Sequence, residues 1–199
     1  MKNIILLLGL LFLTSCSLAP FNATNSGKSL GAGNVATEFG NANSNYFMKA
    51  SAGISEDLDL GYVMEFGEFS TSALLAKYSF LNNETGPSVA GELAYGSSET
   101  TNFYYLGVIG SIAFNEAFEV FANVRFNSVN TDEGDVEIGD SVGNIEVEKE
   151  EMTYLYGAVG FNIWFNKNNG LSIYNIYIQG DGVNADPQSS VGGAFLFKF

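Results

Sequence analysis

The chain has 199 residues, of which 22 are acidic and eight are basic, so its formal net charge is −14 at neutral pH. Such an acidic surface repels phosphate and argues against nucleic acid as a partner. The length suits one domain, and three prolines together with many glycines and aromatic residues favour β-structure.

The N-terminal stretch has the layout of a secretory signal. A basic start at Lys2 is followed by an almost unbroken apolar run over 4–13. This run is too short to remain in a bilayer as a permanent helix, so it indicates a signal peptide.

The apolar run leads into Leu13-Thr14-Ser15-Cys16, which resembles the lipobox of bacterial lipoproteins. The resemblance implies cleavage before Cys16 and acylation of that residue, with a signal over 1–15 and a lipidated tether over 16–27. Cys16 is the only cysteine, so the chain forms no internal disulfide. The alternative is a free cysteine in an ordinary signal peptide.

From 28 to 199 the sequence breaks into alternating runs separated by turn-forming residues. Each run is about ten residues long, the length that a strand needs to cross a bilayer in a barrel. The breaks carry turn chemistry, as in Asn82-Asn83-Glu84-Thr85-Gly86. We predict ten strands, at about 28–39, 45–54, 58–67, 70–80, 87–96, 102–114, 118–129, 152–165, 171–179 and 190–199.

Charges inside these runs lie opposite the bulky apolar face. Glu119 and Arg125, for example, alternate with Phe118, Val120 and Val124. A Lys or Arg that faces lipid at mid-depth costs about 2–4 kcal/mol, so the pattern favours a membrane wall. It predicts an all-β fold: a closed antiparallel up-and-down transmembrane β-barrel of about ten strands, with eight as the alternative.

A soluble β-sandwich also alternates, but its charged faces would point outward and its apolar faces would meet in a core. Here the charged faces are rich in Gly, Ala and Ser, which suits the crowded interior of a small barrel. Aromatic residues also mark the run ends, as interfacial girdles require. They are Tyr46, Phe66, Phe80, Tyr104, Phe114, Phe118 and Phe165.

The last predicted strand has a bulky apolar face and a face of small or polar residues. Val191, Phe195 and Phe197 share their face with the terminal Phe199. In ending on phenylalanine the strand resembles the closing strand of bacterial outer-membrane β-barrels. The resemblance implies that Phe199 is an assembly signal, with the barrel-assembly machinery and outer-membrane lipid as partners.

An even strand count puts both ends of a barrel on one side of the membrane. With the lipidated N-terminus tethered to the inner leaflet, we expect both termini in the periplasm and the protein in the bacterial outer membrane. The longest connection, 130–151, then lies outside, where barrels of this class carry their longer loops.

Seven charged residues fall on the inward faces of the predicted strands. Because burial of an unpaired charge is costly, we expect opposite charges to pair inside the barrel. The favoured interpretation is a packed polar interior, and the alternative is a narrow ion-selective pore. The set is Lys49, Asp59, Glu65, Lys77, Glu92, Glu119 and Arg125.

The 130–151 connection is strongly acidic. Its carboxylates are hard oxygen ligands at short spacing, so Ca²⁺ or Mg²⁺ is a candidate partner, as is a cationic surface partner. The spacing departs from the EF-hand order, so we predict no metal site and favour a solvated acidic loop. The candidate cation ligands are Asp132, Glu133, Asp135, Glu137 and Asp140.

The chain contains no histidine. Outer-membrane barrel families with hydrolase, acyltransferase or protease activity use histidine with a serine or carboxylate, so that chemistry is unavailable here. We predict no catalytic residue, no enzyme activity and no cofactor apart from the lipid on Cys16. The leading hypothesis is a structural or surface-contact role. The alternatives are a narrow pore, transport of a small amphiphile, and a soluble periplasmic lipoprotein.

Overall fold

The computed structural model describes residues 22–42, 45–66, 70–98, 101–131, 134–137, 144–147, 150–180 and 188–199. The predicted signal over 1–15 and Cys16 lie outside these residues. So do Asp132, Glu133 and Asp140 of the acidic connection, and only the backbone of Asp135 and Glu137 is described.

Ten strands of the described chain close into one antiparallel barrel, and two more form a separate hairpin. The strands are β1 (Val35–Ala42), β2 (Asn45–Gly53), β3 (Leu58–Phe66), β4 (Thr71–Leu81), β5 (Gly86–Ser97), β6 (Thr101–Asn115), β7 (Phe118–Thr131), β8 (Gly134–Glu137), β9 (Asn144–Val147), β10 (Glu150–Trp164), β11 (Asn169–Gly180) and β12 (Gln188–Lys198).

Each barrel strand pairs with its neighbours along the chain, except that β7 pairs with β10 across the β8–β9 hairpin. The circle closes where β1 pairs with β12, from Ala36 opposite Lys198 to Ala42 opposite Gly192. The predicted closed, up-and-down barrel of ten strands is therefore confirmed. Neither eight strands nor a sandwich describes this chain.

One predicted strand boundary and one predicted loop are wrong. β1 begins at Val35 and not near residue 28, because Gly31 and Gly33 hold φ values of 78° and 80° that interrupt an extended chain. The connection predicted as one loop over 130–151 contains β8 and β9, which pair with each other and not with the barrel.

Side chains alternate between the two faces of the wall, apart from register shifts between Ser79 and Leu81 and between Ala113 and Asn115. Leu74, Leu106 and Val159 point outward and are 66%, 64% and 66% exposed. Glu119 and Arg125 point inward and are each 1% exposed. The described residues contain no helix that is long and apolar enough to span a bilayer.

The barrel has two different ends. At one end lie the turns over 54–57, 82–85, 116–117 and 165–168, which we call the short-turn end. The opposite, long-loop end carries the connections between β7 and β10 and between β11 and β12. Phe199 lies at the short-turn end, where its amide donates to the Val35 carbonyl oxygen at 2.8 Å and helps to close the barrel.

We expect Gly160→Ala to destabilise the barrel and Gly157→Ala, in the same strand, to be tolerated. A Cβ at Gly160 would lie 2.5 Å from the Cβ of Tyr174 and 2.8 Å from its Cα. At Gly157 the nearest atom is 3.9 Å away. Overpacking of this kind costs about 1–3 kcal/mol.

Urea unfolding in detergent micelles, followed by the fluorescence of the single tryptophan, Trp164, measures both variants. Equal unfolding midpoints for the two would contradict the observed register of β10 against β11.

Candidate functional site

Residues 22–30 lie inside the barrel, and we call them the lumenal segment. Asn22, Ala23, Thr24 and Asn25 are all at most 8% exposed. This is the main departure from the sequence-based expectation, which assigned 16–27 to a tether between lipid and fold. The described part of that stretch instead supplies groups to the lumen.

Strand β3 gives the direction of the lumenal segment. The amide of Asn22 donates to Glu65 Oε1 at 2.7 Å, and the amide of Leu30 donates to Asp59 Oδ1 at 3.0 Å. Glu65 lies near the long-loop end of β3 and Asp59 near its short-turn end. The segment therefore runs antiparallel to β3, from the long-loop side down to the short-turn end.

Arg125 is the centre of the contacts that hold the long-loop side of the lumenal segment. Its Nε donates to Glu92 Oε1 in a direct ion pair, and both side chains are 1% exposed. Its two terminal nitrogens donate to the lumenal segment, to the Asn22 carbonyl oxygen at 2.7 Å and the Thr24 hydroxyl at 2.9 Å. The buried guanidinium of β7 therefore contacts both Glu92 of β5 and the lumenal segment directly.

Aromatic rings and further hydrogen-bond donors surround this ion pair. The guanidinium carbon lies 4.5 Å from the ring centroid of Tyr105 and 5.0 Å from that of Tyr156. Glu92 also accepts from the Thr24 hydroxyl and, at 2.9 Å, from the Asn123 amide. A buried charge pair is tolerated only when its remaining polar atoms are satisfied in this way.

Nearer the short-turn end, three more carboxylates hold the segment. Glu38 pairs with Lys49 at 3.1 Å and accepts a hydrogen bond from the side-chain amide of Asn25 at 3.1 Å. Asp59 pairs with Lys77 at 3.0 Å. Lys77 also donates to the carbonyl oxygens of Ser26 and Lys28, so a wall lysine binds the segment backbone directly.

Glu119 is the third of these carboxylates. It accepts hydrogen bonds from the Ser26 hydroxyl at 2.8 Å and from the side-chain amide of Asn162 at 3.2 Å. It also pairs with Lys28, whose Nζ is 3.9 Å away. The Asn162 amide also donates to the Asn25 carbonyl oxygen at 2.7 Å. Neighbouring wall residues therefore bind both side chains and backbone of the segment.

A cavity of about 70 Å³ lies between the segment and the wall, lined in part by Lys49, Lys77, Lys198 and Trp164. Such a volume holds a few water molecules. Lys198 lies over the Trp164 ring, with its Nζ 4.0 Å from the ring centroid.

All seven charged residues that the sequence analysis placed inside the barrel face the lumen, and the structure brings them together around one chain segment. Sequence reasoning missed Glu38, Lys28 and the segment itself. Glu38 was hidden in the poorly alternating stretch over 28–39. For the segment, the available signal was the run of small hydrogen-bonding residues from Asn22 to Ser29.

The acidic connection gives a different outcome. Its five candidate ligands have no described side chains. Within the part of the chain that the structure describes, no group of three or more carboxylate, cysteine or histidine side chains could hold a metal ion.

No family model matches the chain, and no curated protein matches it. Among solved structures it is similar to the N-terminal β-barrel domain of Pseudomonas aeruginosa OprF, at 12% identity, 83% and 96% coverage of the two chains and a TM-score of 0.39. It is also similar to the KdgM porin in complex with oligogalacturonate, at 11% identity, 83% and 96% coverage and a TM-score of 0.48.

A third similar structure is Ail, the attachment invasion locus protein of Yersinia pestis, at 12% identity, 83% and 94% coverage and a TM-score of 0.34. At these values the similarities add nothing to the barrel architecture, which the strand pairing establishes by itself.

We expect Arg125→Met to lower the free energy of unfolding by about 3–5 kcal/mol, because it leaves the Glu92 carboxylate buried without its cation. Adding Glu92→Gln should recover part of this loss, since glutamine keeps an acceptor oxygen for Thr24. Guanidinium unfolding in micelles measures both, with Lys167→Met on the exposed turn over 165–168 as the control. If Arg125→Met is as stable as that control, the ion pair contributes nothing.

Proposed function

We propose that this chain is an outer-membrane barrel whose lumen is closed by its own N-terminal segment, and that its role is structural or surface contact, not catalysis. We further propose that a lipid on Cys16 anchors it. The observation that carries the proposal is an apolar outer wall around an interior filled by paired charges and residues 22–30.

The outer wall supports a location in lipid. Among the described side chains that point outward from the ten barrel strands, Glu151 is the one charge, and it lies at the long-loop rim. The outward face elsewhere carries residues such as Leu93, Val108, Val124 and Phe126, all at least half exposed. In water such a surface would aggregate, whereas hydrocarbon solvates it.

Aromatic residues support the depth of insertion. Tyr46, Phe66 and Tyr104 project near the long-loop end, and Phe114 and Phe165 near the short-turn end. Along β6 the ten residue-to-residue steps from Tyr104 to Phe114, in a strand tilted as barrel strands are, span about 24 Å along the membrane normal. This matches the height of the apolar band in outer-membrane barrels.

The long-loop end then faces outward, since barrels of this class carry longer loops on the outside. Its acidic connection over 130–151 is our candidate for contact with divalent cations or a cationic surface partner. Phe199, at the opposite end, would be available to the assembly machinery from the periplasm.

A narrow pore is the competing function, and it makes the opposite prediction about conductance. We expect the purified protein to be silent in a planar bilayer. A protease site inserted between Ala32 and Gly33, both exposed, allows the folded barrel to be cut beside the lumenal segment. After cleavage and a urea wash, we expect steady unitary currents, because the released segment leaves the charged wall hydrated.

The matched control carries the same site between Lys167 and Asn168, where cleavage leaves the segment attached and the bilayer should stay silent. Mass spectrometry of the washed barrel verifies release. Steady currents from uncut protein would favour the pore. Silence after verified release would show that other groups close the lumen.

A further inference from the structure

We infer that the chain leaves the lumen through the long-loop mouth, so that residues before Asn22 and the lipid predicted on Cys16 lie on the long-loop side of the membrane. This inference rests on the proposed outer-membrane location. It replaces the expectation, drawn from the sequence, that the N-terminus shares the periplasmic side with Phe199.

The direction of the lumenal segment points to the long-loop mouth. Going backward from Leu30 to Asn22, the chain moves from Asp59 to Glu65 along β3, six strand residues or about 20 Å toward the long-loop end. The opposite wall agrees. Ser26 contacts Glu119 near the start of β7, and Asn22 contacts Arg125 six residues further along that strand.

The packing of the lumen favours the same exit. To reach the short-turn side from Asn22, the preceding chain would have to return past residues 22–30 through a lumen that already holds buried side chains. Tyr174 and Phe121, which are 2% and 3% exposed, pack edge to face there. That return path is also lined by Glu38, Asp59 and Glu92, whose oxygens already accept hydrogen bonds from the segment.

The wall of the barrel has an uneven height. β2 and β3 have nine residues each, whereas β6 and β10 have fifteen. Glu65, which holds the Asn22 amide, is the penultimate residue of β3. Asn22 is therefore close to the lowest part of the long-loop rim.

Chain length fits this exit. Cys16 precedes Asn22 by six residues, which span at most about 22 Å when extended. Phe66, the residue after Glu65 in β3, and Tyr46 are outward aromatic residues that mark the bilayer interface at this rim. An acyl group on Cys16 would then enter the leaflet on the long-loop side.

The test compares three single-cysteine substitutions in the full chain, each expressed in a double-membraned bacterium and treated with a membrane-impermeant maleimide. Acylation occupies the natural thiol of Cys16, and the chain has no other cysteine. Ala19→Cys reports on the N-terminal region. Ser70→Cys reports on the long-loop end, and Lys167→Cys on the short-turn end, where both residues are exposed.

We expect Ala19→Cys and Ser70→Cys to be labelled on intact cells, and Lys167→Cys only after the outer membrane is permeabilised. A large protease acting on a site inserted between Leu18 and Ala19 gives a second measurement, with cleavage expected on intact cells. Labelling and cleavage at the N-terminal position only after permeabilisation, as for Lys167→Cys, would overturn the inference.

The two reference positions separate this inference from the proposed function. If Ser70→Cys and Lys167→Cys are labelled alike, the barrel does not span the outer membrane and the proposed function fails. If they differ, the inference depends only on which of them Ala19→Cys follows.

Discussion

The Arg125–Glu92 pair shows the constraint on which the rest of the structure depends. A narrow barrel with an apolar outer face must place its charged side chains in the lumen and pair them there. Neither member could be left alone at this depth of burial. Their remaining hydrogen-bonding capacity is met by Asn22 and Thr24. The lumenal segment therefore stabilises the buried charges by supplying hydrogen-bond partners.

The wall and the segment depend on each other. Without Ser26, Leu30 and their neighbours, Glu119 and Asp59 would lose hydrogen bonds in a buried setting. Without the wall, a short polar stretch with no periodicity would stay unstructured. A small barrel can be filled by its own side chains or by another part of the chain, and this one uses both.

Sequence reasoning found what depends on periodicity. Alternation identified the inward charges, such as Arg125 between Val124 and Phe126, and the strand ends agreed with the structure within a few residues for most runs. It could not find the partners of Asn22 and Thr24, because those contacts join residues about 40 to 100 positions apart and leave no local pattern. For the same reason Lys28 was assigned to a strand, although the positive φ values of Gly31 and Gly33 separate it from β1.

The placement of the segment in the lumen is the central claim, and amide hydrogen exchange of the folded protein in micelles tests it most directly. The amides of Asn22, Gly27 and Leu30 donate to Glu65, Ser111 and Asp59 inside the barrel. They should be protected like amides of the barrel strands. Exchange as fast as that of the turn amide of Asn168 would contradict the claim and place this segment outside the barrel.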